Sequence, residues 1–252
     1  RLVSLRQLHS LWSQRPFTSA RISCQMPDFS IESGLLAAGH RLICGVDEAG
    51  RGCLAGAVVA ACVILNPGDL PDGVDDSKKL SAARRADLYD VIMEKALGVG
   101  VAYVEASEID STNILIATMK AMRLAAHELP MRPGYACIDG NVVPQDLPCL
   151  ASAYVGGDAR SLSIAAASIV AKESRSRLMR RLDQALPGYG FATHDGYGTA
   201  AHLDALARLG PSPQHRMTFA PLKPWRTEPE VLKPRKRKAP AAAQLSFFDA
   251  TD

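Results

Sequence analysis

Two adjacent carboxylates, Asp47 and Glu48, stand at the end of a short apolar run (Leu42, Ile43, Val46) and directly before a Gly50-Arg51-Gly52 turn. The apolar run has the character of a buried strand, closed by the glycines. Side chains alternate along a strand, so the two acids cannot both face water from one regular surface. At least one points toward the sheet, where a lone carboxylate is costly unless it is paired or holds a metal. Gly50 and Gly52 let backbone approach a ligand closely, and Arg51 between them suits phosphate. Such a strand delivers negative charge beside an anion-binding turn, although taken alone the stretch is equally a polar strand end followed by a glycine turn.

Two further acids occupy comparable places. Gly134 to Asp139 is another short apolar strand ending in an acid, followed by Gly140-Asn141, and Gly156-Gly157-Asp158 brings a fourth acid to the start of an alanine-rich helix. In an open α/β sheet, strand ends on one edge would gather Asp47, Glu48, Asp139 and Asp158 at a single crevice. Four clustered carboxylates repel one another without a counter-ion, and all-oxygen ligands suit Mg²⁺ or Mn²⁺. Two such ions, roughly 3.5 to 4 Å apart, form an arrangement that cleaves phosphodiesters. A scatter of surface acids is the competing reading; the strand-end placement weighs against it. Lys78 and Lys79, in the loop Asp75-Asp76-Ser77-Lys78-Lys79-Leu80 at a helix start, suit a phosphate or a solvated capping loop.

The elements that must position these residues follow from periodicity and punctuation. Strands are expected at about 41–47, at Ala57 to Leu65 (wholly apolar and closed by Asn66-Pro67-Gly68), at Gly98 to Glu105, at Gly134 to Asp139 and near Cys149 to Val155. Helices are expected from Ile31 to Ala38, from a Ser81 cap to about Leu97, from an Asp110 or Ser111 cap to about Leu129, from Ser161 to about Leu186, and from Thr199 to about Leu209. The Ser161 helix has an Ala/Ile face whose small residues allow close packing on the sheet, with Lys172, Arg175 and Arg177 falling largely on other faces. Between Pro187 and Thr199 lies a loop rich in glycine and aromatic residues, which is expected to form a substrate wall and not to fill a core. The fold class is α/β, a sheet flanked by helices.

Composition sets bounds. The chain has 252 residues, 47% hydrophobic and 22% charged, with a net charge of +3, which is ordinary for a globular protein and too weak to argue for nucleic acid by itself. Six cysteines show no C-x-x-C pair and no zinc spacing with histidine, which points to reduced, buried thiols and a cytoplasmic setting. No apolar run reaches the ~18 residues of a membrane span. No exposed heptad points to an oligomer, so a monomer is expected. Residues 1–25 carry four arginines, several serines and no acid, the composition of a transit peptide or of an extension upstream of a start at Met26; the extension is favoured, with a catalytic domain over 26–226 and a basic tail over 227–252.

Taken together, Asp47-Glu48-Ala49-Gly50-Arg51-Gly52, Asp76-Ser77-Lys78-Lys79-Leu80, Ile138-Asp139-Gly140-Asn141, Asp158 with the Ile164 to Lys172 run, and His194 with Gly196-Tyr197-Gly198-Thr199 occur in the order and spacing of bacterial ribonuclease HII. The chain resembles that family over about residues 41 to 220. The resemblance implies an RNase H-like fold, a central mixed β-sheet with flanking helices and a C-terminal helical extension. It also implies Mg²⁺- or Mn²⁺-dependent cutting of the RNA strand of RNA/DNA hybrids and of duplex DNA carrying single ribonucleotides, as in ribonucleotide excision repair. By the same resemblance Asp47, Glu48, Asp139 and Asp158 are the metal-binding acids, Gly50, Arg51 and Gly52 read the ribose 2′-OH, and Tyr197 packs at the ribose-to-deoxyribose junction. A 2′-OH is what separates RNA from DNA, and backbone groups in a glycine turn can reach it. Lys78, Lys79 and Lys172 are expected phosphate contacts. The chain departs from the family at Asp195, where many members carry a basic residue. A relative restricted to longer hybrids, as in ribonuclease HIII, is disfavoured by the Gly-Arg-Gly turn, and a non-catalytic binding module by the presence of all four acids.

Beyond Trp225 come a basic run, Lys233 to Lys238, an alanine and proline stretch, and Gln244-Leu245-Ser246-Phe247-Phe248. The composition is that of a flexible linker with an adhesive end. The five-residue segment resembles the peptide by which bacterial replication proteins dock on the sliding clamp, with Gln244, Leu245, Phe247 and Phe248 as the groove-filling residues.

Overall fold

The computed structural model describes residues 26–75 and 77–226; Asp76, the expected extension over 1–25 and the tail with its clamp-like peptide lie outside the described residues. In chain order the elements are α1 (Ser30–Ala37), β1 (Ile43–Ala49), β2 (Val58–Ile64), α2 (Ala82–Lys95), β3 (Gly98–Val104), α3 (Ala106–Ser111), α4 (Ile114–His127), β4 (Tyr135–Asp139), β5 (Leu150–Tyr154), α5 (Leu162–Ala185), α6 (Phe191–His194) and α7 (Ala200–Leu209), with 3-10 turns over Gly157–Ala159 and Ala220–Trp225.

One mixed sheet in the order β3-β2-β1-β4-β5 organises the described residues. β2 runs antiparallel to both β1 and β3, whereas β4 and β5 continue parallel to β1. The apolar run of β2 is covered on both faces, as a strand without polar alternation must be. Val58, Ala60, Cys62 and Ile64 pack toward α4, and Ala61 and Val63 toward α2 and α5.

Glycine sets the helix-to-sheet distance on each face. A Cβ added at Gly45 of β1 would lie 2.1 Å from the backbone of Ser163 in α5, and one at Gly100 of β3 would lie 2.1 Å from the Ala125 carbonyl oxygen in α4. The alanine-rich face of α5 completes the close approach over β1, as the small residues predict.

Ser81 caps α2, its hydroxyl accepting from the Arg84 amide at 3.2 Å. The cap of α4 is Asn113, which accepts from the Ile116 amide at 2.9 Å, and not Asp110 or Ser111. Those two residues belong to the short helix α3, which the periodicity did not reveal. Asp110 instead accepts from the amides of Met217 and Thr218 at 2.7 and 2.9 Å, binding the C-terminal segment to the sheet domain.

The glycine and aromatic loop after α5 departs from expectation in another way. Tyr189 and Phe191 are buried, and with Leu54, Met179, Leu206 and Leu222 they form a separate core beneath the C-terminal helices. Glycines do not fill a core, but they allow the aromatic rings between them to turn inward. Arg175 departs similarly: it lies on a buried face of α5, at 3% exposure, because its guanidinium satisfies main-chain carbonyls there. The five described cysteines are free thiols, four of them buried. Among the described residues no helix is long and apolar enough to cross a membrane.

Candidate active site

The parallel pairing of β1 and β4 sets Val46 opposite Ile138. Both pack into the core on the α4 side. The next residues, Asp47 and Asp139, therefore stand side by side on adjacent strands, with backbones roughly 4.8 Å apart, and face α5. Register carries the third acid to the same edge. Asp139 is opposite Tyr154 of β5, and the 3-10 turn just beyond β5 carries Asp158. The Gly157 amide donates to Asp139 Oδ1 at 2.7 Å, so this turn is fastened to the end of β4. Glu48, one residue past Asp47, leaves the strand on the other side and meets Arg51, with Oε1 3.1 Å from Nη1.

Burial pushes the Asp47 carboxyl well above the usual carboxylate range, and the charges of Glu48 and Asp139 push it further, against a stabilising hydrogen bond from Ser168. Ser168 is itself paired with Ser77 at 2.9 Å, so the loop before α2 and helix α5 together orient Asp47. Burial also raises Asp139, with the charge of Asp158 adding to it, while the amides of Gly157 and Asp158 oppose the shift. Asp158 is held by Lys78, whose Nζ lies 3.0 Å from Oδ2.

A cleft of about 220 Å³ opens over these acids. Asp47, Glu48 and Asp139 line it together with the Gly50-Arg51-Gly52 turn, Tyr197, Lys78 and Lys172. Asp158 approaches the wall through Lys78 and does not itself line it. Lys79 pairs with Asp75 at 3.1 Å and is not among the lining residues. Among the described residues no three His, Cys, Asp or Glu side chains form a ready-made metal cage. Mutual repulsion separates like charges, and Lys78 and Arg51 each draw one acid aside. The donor set nonetheless fits a hard divalent cation: the ligands are all oxygen, and the environment of Asp47 makes its negative charge costly until a cation shares it. Asp47, Glu48, Asp139 and Asp158 are the residues that would hold such ions.

The part that Arg175 plays in the site escaped the sequence reading. Arg175 donates to Ala57 and Ala55 at 3.1 and 3.0 Å and to the Asp195 carbonyl at 2.7 Å, joining the segment after the glycine turn to the Tyr197 loop. Gly50, at φ +92°, has no room for a side chain because Arg175 lies directly beneath it; a Cβ there would fall 2.0 Å from Nε. The Asp195 carboxylate accepts from the Ser176 hydroxyl at 2.7 Å, so the acid at the position where a basic residue is common is turned to α5. Arginines that bind carbonyls have no local sequence signature. The only available signal was an unpaired charge within an apolar helix face.

Residues 44–222 match the protein-family model described as Ribonuclease HII. A Ribonuclease HII from Brucella canis is 53% identical over 198 residues, covering 78% of this chain and 90% of that one. Among solved structures, the ribonuclease H2 of Pyrococcus horikoshii OT3 superposes with a TM-score of 0.60 at 24% identity, over 72% of this chain and 95% of that one, a likeness of fold. The RNase HII in the PCNA:RNase HII complex of Archaeoglobus fulgidus superposes with a TM-score of 0.56 at 26% identity, over 71% and 96% of the two chains. The family model spans well over half of the sequence and runs from β1 through the C-terminal segment, including every acid of the cleft, and the chain therefore belongs to the ribonuclease HII family of hydrolytic nucleases.

Proposed function

We propose that this protein is an endoribonuclease that cuts the RNA strand of RNA/DNA hybrids and cleaves 5′ of ribonucleotides embedded in duplex DNA, leaving 5′-phosphate and 3′-hydroxyl ends. The observation that carries this reading is the side-by-side placement of Asp47 and Asp139 in a cleft also lined by a glycine turn and an exposed tyrosine. Bound by Asp47, Glu48, Asp139 and Asp158, a pair of Mg²⁺ or Mn²⁺ ions would supply an activated water and charge neutralisation at the leaving 3′-oxygen.

The chain's own groups do the remaining work. The turn at Gly50-Arg51-Gly52 brings main-chain amides to the minor-groove side of a duplex, where a 2′-OH can be recognised by hydrogen bonding and a deoxyribose offers nothing in return. Tyr197, 46% exposed beside that turn, offers a flat face to the sugar that follows the ribonucleotide. Lys172, half-buried at the cleft wall, holds positive charge against a phosphate; burial and the nearby Arg85 lower its pKa. The tail peptide Gln244, Leu245, Phe247 and Phe248 would dock the enzyme on a sliding clamp, its aliphatic and aromatic side chains suited to filling a groove. Replacing Phe247 and Phe248 with alanine should abolish retention on immobilised bacterial clamp while leaving cleavage in solution unchanged; equal retention would remove the docking role.

Incubation with a duplex containing one ribonucleotide, in Mg²⁺ or Mn²⁺, tests the catalytic reading. The wild type should cut once, 5′ of the ribonucleotide, and Asp47→Asn should be slower by at least about a hundredfold, the scale on which loss of a charge-stabilising group acts. Equal cutting by the two proteins would remove the proposed metal site.

A further inference from the structure

Arg216 is fully buried, and among the described residues it forms no ion pair with a carboxylate. Its donors go to main chain: Nε and Nη2 to the Gly56 carbonyl at 3.0 and 2.8 Å, and Nη1 to the Arg51 carbonyl at 3.0 Å. A buried guanidinium whose hydrogen bonds all go to carbonyls, with only the Phe219 ring 5.2 Å from its centre besides, carries a desolvation cost that packing alone does not explain. What it achieves is orientation. Arg51 and Gly52 are joined by a trans peptide, since the described residues contain no cis bond. In a trans peptide the C=O and the following N–H point opposite ways, so an Arg51 carbonyl drawn inward to Arg216 turns the Gly52 N–H outward. Gly52 lines the cleft, a Cβ there would meet nothing within 4 Å, and its amide makes no hydrogen bond among the described residues.

The preceding residue reaches the Tyr197 loop. His215 Nδ1 accepts from the Ser212 amide at 2.9 Å, which leaves its Nε2 to donate. Nε2 lies 3.0 Å from His202 Nε2, and His202 Nδ1 lies 2.9 Å from the Tyr197 carbonyl. Each proton position follows from the one before it: the Ser212 N–H can only donate, so His215 donates to His202, and His202 donates to Tyr197. The relay requires both rings neutral, and burial, with each ring's histidine neighbour adding to it, favours that form at both. The segment is clamped to the turn it serves, with the Arg216 amide donating to Leu54 at 2.8 Å and the Gly56 amide to Gln214 at 2.8 Å.

We propose that the consecutive pair His215 and Arg216 are positioning residues for ribonucleotide recognition, Arg216 aiming the Gly52 amide at the 2′-OH and His215, through His202, setting Tyr197 against the neighbouring sugar. This rests on the function proposed above and assigns the C-terminal segment a part in specificity. Neither residue touches substrate. Their effect is therefore on preference for ribose, and not on general affinity for nucleic acid.

The test uses the full chain carrying Asp47→Asn, so that binding is read without turnover. The dissociation constants for a duplex with one ribonucleotide and for the same duplex in all-DNA form are compared before and after adding Arg216→Lys, His215→Phe or His215→Gln. The preference for the ribonucleotide should fall about tenfold with Arg216→Lys and with His215→Phe, while affinity for the all-DNA duplex stays within about twofold, the scale of one lost hydrogen bond. His215→Gln keeps an N–H for His202 and should restore most of the preference. Thermal melting identifies any variant that fails to fold. Should Arg216→Lys do so, the His215 pair decides alone. An unchanged preference in folded variants, or an equal loss of affinity for both duplexes, overturns the proposal. Absence of any preference in the Asp47→Asn parent would instead overturn the reading of the glycine turn on which it rests.

Discussion

Asp47 carries two opposed demands. As a buried carboxyl beside Glu48 and Asp139 its pKa is raised, and the cost of its negative charge opposes folding as pH rises until a cation is shared. The sign is fixed by the direction of the shift. A carboxyl whose folded pKa is raised destabilises the fold as pH rises above its unfolded value. Asp47→Asn should accordingly leave the metal-free melting temperature unchanged or higher while cleavage is lost, the usual conflict between an active site and stability. A clear drop in melting temperature would mean that Asp47 is a structural group. Lys172 makes a different kind of contribution. If it faces a phosphate, Lys172→Met should weaken binding at all sequences and reduce the slope of log K against log salt by about 0.7 to 0.9, read from binding isotherms at several salt concentrations. An unchanged slope would place its charge outside the interface.

At the scale of elements, the site is built by one helix lying very close to one strand. α5 crosses β1 where Gly45 has no side chain, and this brings Ser168, Lys172 and Arg175 over the strand end that carries Asp47. Gly45→Ala would drive a Cβ into the Ser163 backbone, which cannot rotate away as a side chain would. Overpacking of this kind costs about 1 to 3 kcal/mol or more, and for a chain of this size that corresponds to several degrees of melting temperature. Because the displaced helix also positions the cleft wall, activity at a permissive temperature should fall too. A variant with wild-type melting and activity would show that the helix can lift away without consequence.

For the molecule as a whole, the C-terminal segment is what ties together the glycine turn and the Tyr197 loop. It is bound to the sheet domain by Asp110 and to the glycine turn by Arg216, and its second core is centred on Phe191 and the buried pair His202 and His215. Burial and the neighbouring His202 hold His215 down to about 4. Burial, with the charge of His194 adding to it, also lowers His202. A histidine whose folded pKa lies below its unfolded value, near 6.5, contributes stability above that value and loses it as pH falls through the folded pKa. The contribution should thus be lost between about pH 6.5 and 4, where the unfolded chain binds more protons. In melts across that range, the stability gap between wild type and His215→Gln should narrow toward acid. A constant gap would exclude the neutral histidine pair as a source of acid sensitivity.

Much of this arrangement was legible in the residues. The Asp47-Glu48 pair at a strand end, the acid closing Gly134 to Asp139, the small-residue face of α5 and the Ser81 cap are local patterns of period, punctuation and charge, and local sterics are enough to set them. What the sequence could not supply was partnership across the chain. The strand that lies beside β1, its parallel register and the resulting adjacency of Asp47 and Asp139 depend on pairing between segments about ninety residues apart. Arg175 and Arg216, charges that on sequence alone belong at the surface, are inside because the carbonyls that satisfy them arrive from the glycine turn and the segment after it only once the fold has closed. Side-chain period is written in neighbours and is read directly, whereas the burial of a charge is decided by groups distant in sequence that come to solvate it.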